Sequence, residues 1–277
     1  MSVPFALPSA LAYGVADFTG GLAARRAPVI TVTAVAQLAG LVALAPAVVL
    51  LDGRPSAAAL GIGALAGVAG AAGLLLYFRA LAVGPMGVVA PLSAVIGAGL
   101  PLAVGVLDGE RPGPVAQVAI AVALAAIVCA TAGSRGDGAA GTGVLLGLAA
   151  GAGFGLFFVG LDATPADSGL WPLLAGRVVS VTLLGALVLG PVLLGRAPAA
   201  RAGLRLMVVS GLLDTLANVL FLVATRVGTL SVSAVVVSLY PVVLVVLGRI
   251  VLGERLTRLQ LAGTGLAVTA SVLLASG

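Results

Sequence analysis

Apolar residues run along the chain in ten blocks, each closed by a short polar break. The blocks fall at 5–24, 29–51, 57–82, 86–107, 114–132, 142–162, 170–195, 203–226, 229–251 and 258–276. About 20 consecutive apolar residues span the hydrocarbon of a bilayer as a helix. Within that hydrocarbon every backbone polar group must bond internally, so the helix is the natural reading of each block. The pattern predicts an all-α membrane protein with ten transmembrane helices. The breaks carry stop signals: Arg25-Arg26-Ala27-Pro28, Asp52-Gly53-Arg54-Pro55, Gly84-Pro85, Arg111-Pro112-Gly113-Pro114 and Gly195-Arg196-Ala197-Pro198. The longest polar stretch, 134–143, lies near the middle and reads as a joint between halves. The first residues, 1–14, lack a positive n-region and a clean small-residue cleavage site, so they read as the start of a retained span.

Composition strengthens this picture. Of 277 residues 61% are hydrophobic and 8% are charged, against roughly 25% charged in a soluble domain. Mean hydropathy is +1.27. The net charge is +5 and every cation is Arg. These arginines stand singly or in pairs between apolar blocks, which argues against a nucleic-acid surface. The chain has no His, and its one cysteine, Cys129, sits inside an apolar block. A disulfide framework, a thiolate cluster and His-based chemistry are thereby excluded. No phosphate-binding G-x-x-x-x-G-K-[ST] loop is present, which argues against ATP hydrolysis.

A repeat runs through the blocks. Gly109-Glu110-Arg111 recurs 144 positions later as Gly253-Glu254-Arg255. The same offset pairs Ala80 with Ala224, Val83 with Val227, Gly84 with Gly228, Val88 with Val232 and Ala90 with Ala234. With an offset of 141, Tyr13-Gly14 meets Phe154-Gly155. Two five-helix units are predicted, residues 1–137 and 138–277. Five is odd, so the second unit enters the membrane from the opposite side and the repeat is inverted, as in many secondary transporters. Glycines four apart, Gly63 with Gly67 and Gly147 with Gly151, are spaced for close helix packing.

Together these features resemble the EamA-type branch of the drug/metabolite transporter superfamily. The resemblance is carried by two five-helix halves and by a helix ending in Leu252-Gly253-Glu254-Arg255-Leu256, with Gln260-x-x-Gly263 beyond it. Pro241, upstream of Glu254, also fits; the first half has Gly97 at that place, with Pro91 and Pro101 nearby. The resemblance implies export or exchange of small metabolites, amino acids or drugs through a central cavity, with no cofactor and no catalysis. It also allows a flippase for a lipid-linked head group. The expected setting is the inner cell membrane, and the expected partners are a small-molecule substrate, protons and the lipid bilayer.

The halves match in scaffold but differ in charge. Asp17 lies in the first span opposite Phe158, Asp214 in the eighth opposite Gly70, and Arg177 in the seventh opposite Gln37. A charge at the bilayer centre costs about 2.5–3.5 kcal/mol on insertion scales, so such residues face a bundle interior or a wet cavity. Ser9, Tyr13 and Asp17 share one helix face, as do Asp214, Asn218, Phe221 and Thr225. These stripes predict a shared aqueous pocket. In it Asp17 and Asp214 would bind an amine or a coupling proton, and Arg177 a carboxylate; the alternative is an Asp–Arg pair that only ties helices together. Ser231 and Ser238 would add hydroxyls, or satisfy their own helix. Tyr240 and Trp171 offer stacking surfaces, and Tyr77 and Arg79 a cavity mouth. Glu110 and Glu254 read as turn or lipid-interface residues. Pro91, Gly97, Gly99, Pro101 and Pro241 are candidate hinges.

Orientation is read from arginine. One side carries Arg25, Arg26, Arg135, Arg196, Arg201, Arg205, Arg249, Arg255 and Arg258, the other Arg54, Arg111 and Arg226. The positive-inside rule places the richer side in the cytoplasm and both termini outside; the family resemblance implies cytoplasmic termini.

Overall fold

The apolar blocks become helices, and their ends are set by residues that stop or start them. A computed structural model describes residues 3–50, 52–107, 113–133, 138–193, 203–227, 236–237 and 239–276. Ten α-helices are seen among the described residues. They are α1 (Val3–Ala24), α2 (Val29–Leu50), α3 (Ala57–Val83), α4 (Met86–Leu107) and α5 (Pro114–Gly133), then α6 (Gly138–Asp162), α7 (Trp171–Leu193), α8 (Leu204–Val227), α9 (Tyr240–Val251) and α10 (Arg258–Ser276). A short 3₁₀ turn, Ala166–Ser168, precedes α7. The first part of the expected ninth span, residues 229–235, lies outside the described residues, as do Glu110, Arg111, Ser231 and Ser238. Five helices contain stretches long and apolar enough to cross a membrane: Val29–Leu50, Ala57–Val83, Gly138–Asp162, Trp171–Gly190 and Leu204–Phe221. The protein is a multi-pass membrane protein. Its lipid-ward surface is apolar, with Val42, Leu65, Leu145 and Ile250 largely exposed.

Helix ends follow local chemistry. Ser56 caps α3 by accepting the Ala59 amide at 3.1 Å, a role that satisfies an otherwise orphaned donor. At α10 the Thr257 hydroxyl accepts from Gln260 N, and Gln260 Oε1 accepts from Thr257 N. That reciprocal pair is a capping box, and it gives Gln260 of the sequence motif a structural task. Past α9, Gly253 has φ +65°, a left-handed conformation that glycine adopts without a Cβ penalty. The Glu254 amide then turns back to Gly248 O at 3.1 Å.

Packing is between small surfaces. Helix α3 lies on α6 and α7, α8 lies on α1 and α2, and α2 also meets α7. Helix α4 packs on α6, α9 and α10, α1 on α9, and α5 on α10. At the α3–α7 crossing a Cβ added to Gly67 would lie 2.3 Å from Gly176 Cα. At the α2–α8 crossing a Cβ on Gly211 would lie 2.0 Å from Ala36 O. Only glycine allows backbones this close, which is how apolar helices gain packing contact in lipid. Hydroxyls stitch the same crossings: Ser180 Oγ donates to Gly67 O at 3.0 Å and Thr215 Oγ1 to Gly40 O at 3.1 Å.

Candidate functional site

The crossings of α2 with α8 and α3 with α7 leave room for a cleft between them. Asp17, Ala36, Leu74, Phe78, Arg177, Ser210, Gly211 and Asp214 line it, with about 240 Å³ of empty space. Five helices thus contribute, and three of the lining residues are formally charged.

The charges are held differently. Arg177, on α7, donates from Nη2 to Asp214 Oδ2 on α8 and from Nη1 to Gln37 Oε1 on α2. Gly40 makes space for this fork, since a Cβ there would meet Arg177 Nη1 at 2.8 Å and Thr215 Oγ1 at 3.0 Å. Asn218 Nδ2 donates to the Asp214 carbonyl at 2.7 Å and reaches Asp214 Oδ2 at 3.5 Å. Asp214 is therefore neutralised by a guanidinium and braced by its neighbour one turn on. Asp17, on α1, accepts one hydrogen bond, from Tyr77 Oη at 2.9 Å. No cation pairs with it among the described residues.

Aromatic rings surround the carboxylates. Phe78 lines the cleft, and Tyr77 is edge-on to Phe154 with centroids 5.5 Å apart. The rings of Tyr13 and Tyr240 lie 5.9 Å apart. Tyr13 is within electrostatic reach of Asp17, Asp214 and Arg177, and Tyr240 within reach of Asp17.

Of the residues singled out in the sequence, Tyr13, Asp17, Tyr77, Arg177, Asp214, Asn218 and Tyr240 come together in this region. Arg79 does not join them: it sits exposed on α3, two residues beyond the buried Tyr77 and so on another helix face. Trp171 is also elsewhere, its Nε1 donating to Gly53 O at 3.3 Å in the turn after α2. Ser9 donates to Ala217 O at 2.7 Å, so it joins α1 to α8. Glu254 lies apart from them, paired with Arg25 and accepting from the Met86 and Gly87 amides. The residues that sequence reasoning passed over are Gln37, noted only as the counterpart of Arg177, and the lining residues Ala36, Leu74, Phe78, Ser210 and Gly211. Gln37 had a signal, being the sole amide side chain in the 22 residues of α2; the apolar lining residues had none.

Comparison with known proteins gives a family match in sequence and likenesses in structure. Residues 141–276 match the EamA-like transporter family. No curated protein matches the chain. A solved structure, titled only as the crystal structure of a protein, aligns over 94% of this chain and 97% of its own, with a TM-score of 0.55 and 17% identity. At that identity the likeness is one of fold.

Proposed function

Residues 141–276 belong to the EamA-like transporter family, and from that premise we propose that the whole chain is a secondary transporter of the drug/metabolite type. It carries small metabolites, amino acids or drugs across the cell membrane by alternating access, without catalysis. The observation that carries the reading is the central cleft, where Asp17, Arg177 and Asp214 line a space inside an otherwise apolar bundle. Charges at this depth are costly unless they serve a pathway or a binding site.

The helix contacts support an inverted repeat made of residues 1–137 and 138–277. Exchanging the first five helices with the second five turns α1–α8 into α6–α3, α2–α8 into α7–α3, and α4–α6 into α9–α1. All of these pairs are in contact, and α2–α7, α4–α9 and α5–α10 map onto themselves. Inverted repeats place substrate at the interface between halves, and the cleft lies against α2 and α7, a pair of that kind. The arginine-rich side, which includes Arg25 and Arg258, is assigned to the cytoplasm.

Reconstituted vesicles test this. Amino acids, sugars and cationic drugs would be screened for flux, with and without a proton gradient. We expect at least one class to cross faster than through empty vesicles, and Asp214→Asn to slow it about tenfold, the effect of roughly 1.4 kcal/mol. Absence of flux for every class would overturn the reading. Translocation of a labelled lipid instead would reassign the protein as a flippase.

A further inference from the structure

Three charged side chains line the cleft, and two of them cancel. Arg177 and Asp214 form an ion pair, and the guanidinium spends its other observed bond on Gln37. The Arg177 side chain is only 11% exposed, against 34% for Asp214. Its planar fork is fixed between α2 and α8, with Nη1 in the space that a Cβ on Gly40 would fill. An anionic ligand arriving here would meet a guanidinium already engaged and two carboxylates. The remaining charge belongs to Asp17, whose single hydrogen bond comes from the neutral hydroxyl of Tyr77. Phe78 is beside it in the cleft wall, and Tyr77 lies edge-on to Phe154. A carboxylate removed from water requires a compensating positive charge or takes up a proton, and aromatic faces add their own attraction for organic cations.

Resting on the reading of the cleft as the substrate site, we propose that it takes a monocation of the ammonium class. Asp17 is the counter-ion. Arg177 and Asp214 form a fixed strut that shapes the site, so that its net charge is set by Asp17, one negative charge when that carboxyl is ionised. A substrate carboxylate is not what Arg177 binds.

The test uses tetramethylammonium and pivalate, compact ions of similar shape and opposite charge. Equilibrium dialysis of the purified full chain in nanodiscs measures their binding. The expected result is saturable binding of tetramethylammonium, weakened at least about tenfold by Asp17→Asn and largely restored by Asp17→Glu, with no saturable binding of pivalate. Size-exclusion profile and melting temperature check that each variant is folded. Should Asp17→Asn not fold, displacement of tetramethylammonium by pivalate in the unaltered chain decides the matter. The proposal is overturned if tetramethylammonium fails to saturate, if folded Asp17→Asn binds it as the parent does, or if pivalate competes for the site. Flux separates this from the transporter reading. Movement of neutral or anionic solutes with no Asp17-dependent cation binding sinks the cation site and leaves the transporter. Asp17-dependent binding with no flux of any solute does the reverse.

Discussion

The α3–α7 crossing and the α2–α8 crossing are alike in backbone and unlike in charge. In the first, Gly67 meets Gly176 and Ser180 donates to Gly67 O; in the second, Gly211 meets Ala36 and Thr215 donates to Gly40 O. The touching residues correspond along the chain: Gly67 with Gly211 at 144 positions, Ala36 with Gly176 at 140. Near these contacts the likeness ends. Gln37 stands where the other half has Arg177, and Gly70 where it has Asp214. Contact positions are constrained by backbone approach, which any departure from a small residue would break. The positions of Gln37 and Arg177, and of Gly70 and Asp214, are not the touching residues of either crossing, so the two halves are free to differ there. On the proposed repeat, the contact residues match across the halves while Arg177 and Asp214 have no charged counterparts, and the cleft is lopsided as a result.

Breaking a crossing should have the largest effect. A Cβ on Gly211 would stand 2.0 Å from Ala36 O, and one on Gly67 2.3 Å from Gly176 Cα. Neither neighbour is a flexible side chain, so helices must separate. Overpacking costs about 1–3 kcal/mol and sometimes more. We expect Gly211→Val and Gly67→Val each to lower the melting temperature sharply and cut the yield of monodisperse protein. Gly61→Ala is the control, because nothing lies within 4 Å of a Cβ there; it should be neutral or slightly stabilising, since alanine is the better helix former. Equal intolerance at Gly67 and Gly211 would sharpen the correspondence between the crossings. Tolerance at one alone would break it.

Helix positions were legible because the apolar blocks are long and their ends carry Pro, Gly and Arg. The predicted block 258–276 and the observed α10 coincide, and its start is a capping box written in Thr257 and Gln260. Asp17, Arg177 and Asp214 stood out as charges in apolar surroundings. Their pairing was less visible. Helical spacing tells which residues share a face of one helix, not which face meets another helix. The sequence left two roles open for Arg177, and its fork to Asp214 and Gln37 emerges only when α2, α7 and α8 are brought together. Tyr77 and Arg79 were grouped by nearness in sequence, yet two residues along a helix turn a side chain through more than half a circle. Phe78 and Leu74 line the cleft by position alone, and nothing distinguishes them in composition from lipid-facing neighbours.

The charge difference between the crossings is tested by removing it. Arg177→Gln leaves Asp214 without a cation inside the bundle. Breaking a fully buried pair from one side costs about 3–5 kcal/mol; Asp214 is 34% exposed to the cleft, so the cost should fall below that range. The double variant Arg177→Gln/Asp214→Asn removes both charges and should recover most of the lost stability. Thermal unfolding of the two single variants and the double variant measures the coupling. A double variant no more stable than Arg177→Gln alone would mean that the pair is not the unit described here.

The smallest effect is expected where the repeated Gly-Glu-Arg phrase meets the other helices. Glu254 accepts from the Met86 amide at 3.1 Å and the Gly87 amide at 3.3 Å, at the start of α4. It also pairs with Arg25 Nη2 at 3.0 Å. Arg25 in turn donates to Leu81 O at 3.1 Å and Gly84 O at 3.2 Å, at the end of α3. One carboxylate therefore ties the end of α1, the α3–α4 turn and the α9–α10 turn. A carboxylate at a helix N-terminus contributes about 0.3–1 kcal/mol, and an exposed ion pair about 0.2–1 kcal/mol. The Arg25 side chain is 28% exposed, so water and salt weaken its share. Glu254→Ala should cost about 1 kcal/mol through the lost cap, while Glu254→Gln keeps an acceptor for the amides and should cost less. The contrast with the central pair lies in salt. Side-chain exposures overlap, 28% and 13% for Arg25 and Glu254 against 11% and 34% for Arg177 and Asp214. The first pair, however, sits in turns between helices and the second inside the bundle. Screening acts on charges that salt can reach, so raising ionic strength should shrink the Glu254→Gln effect more than the Arg177→Gln effect. Equal salt sensitivity at both places would place them in similar surroundings and remove the distinction between a knot at the membrane face and a charge held inside the bundle.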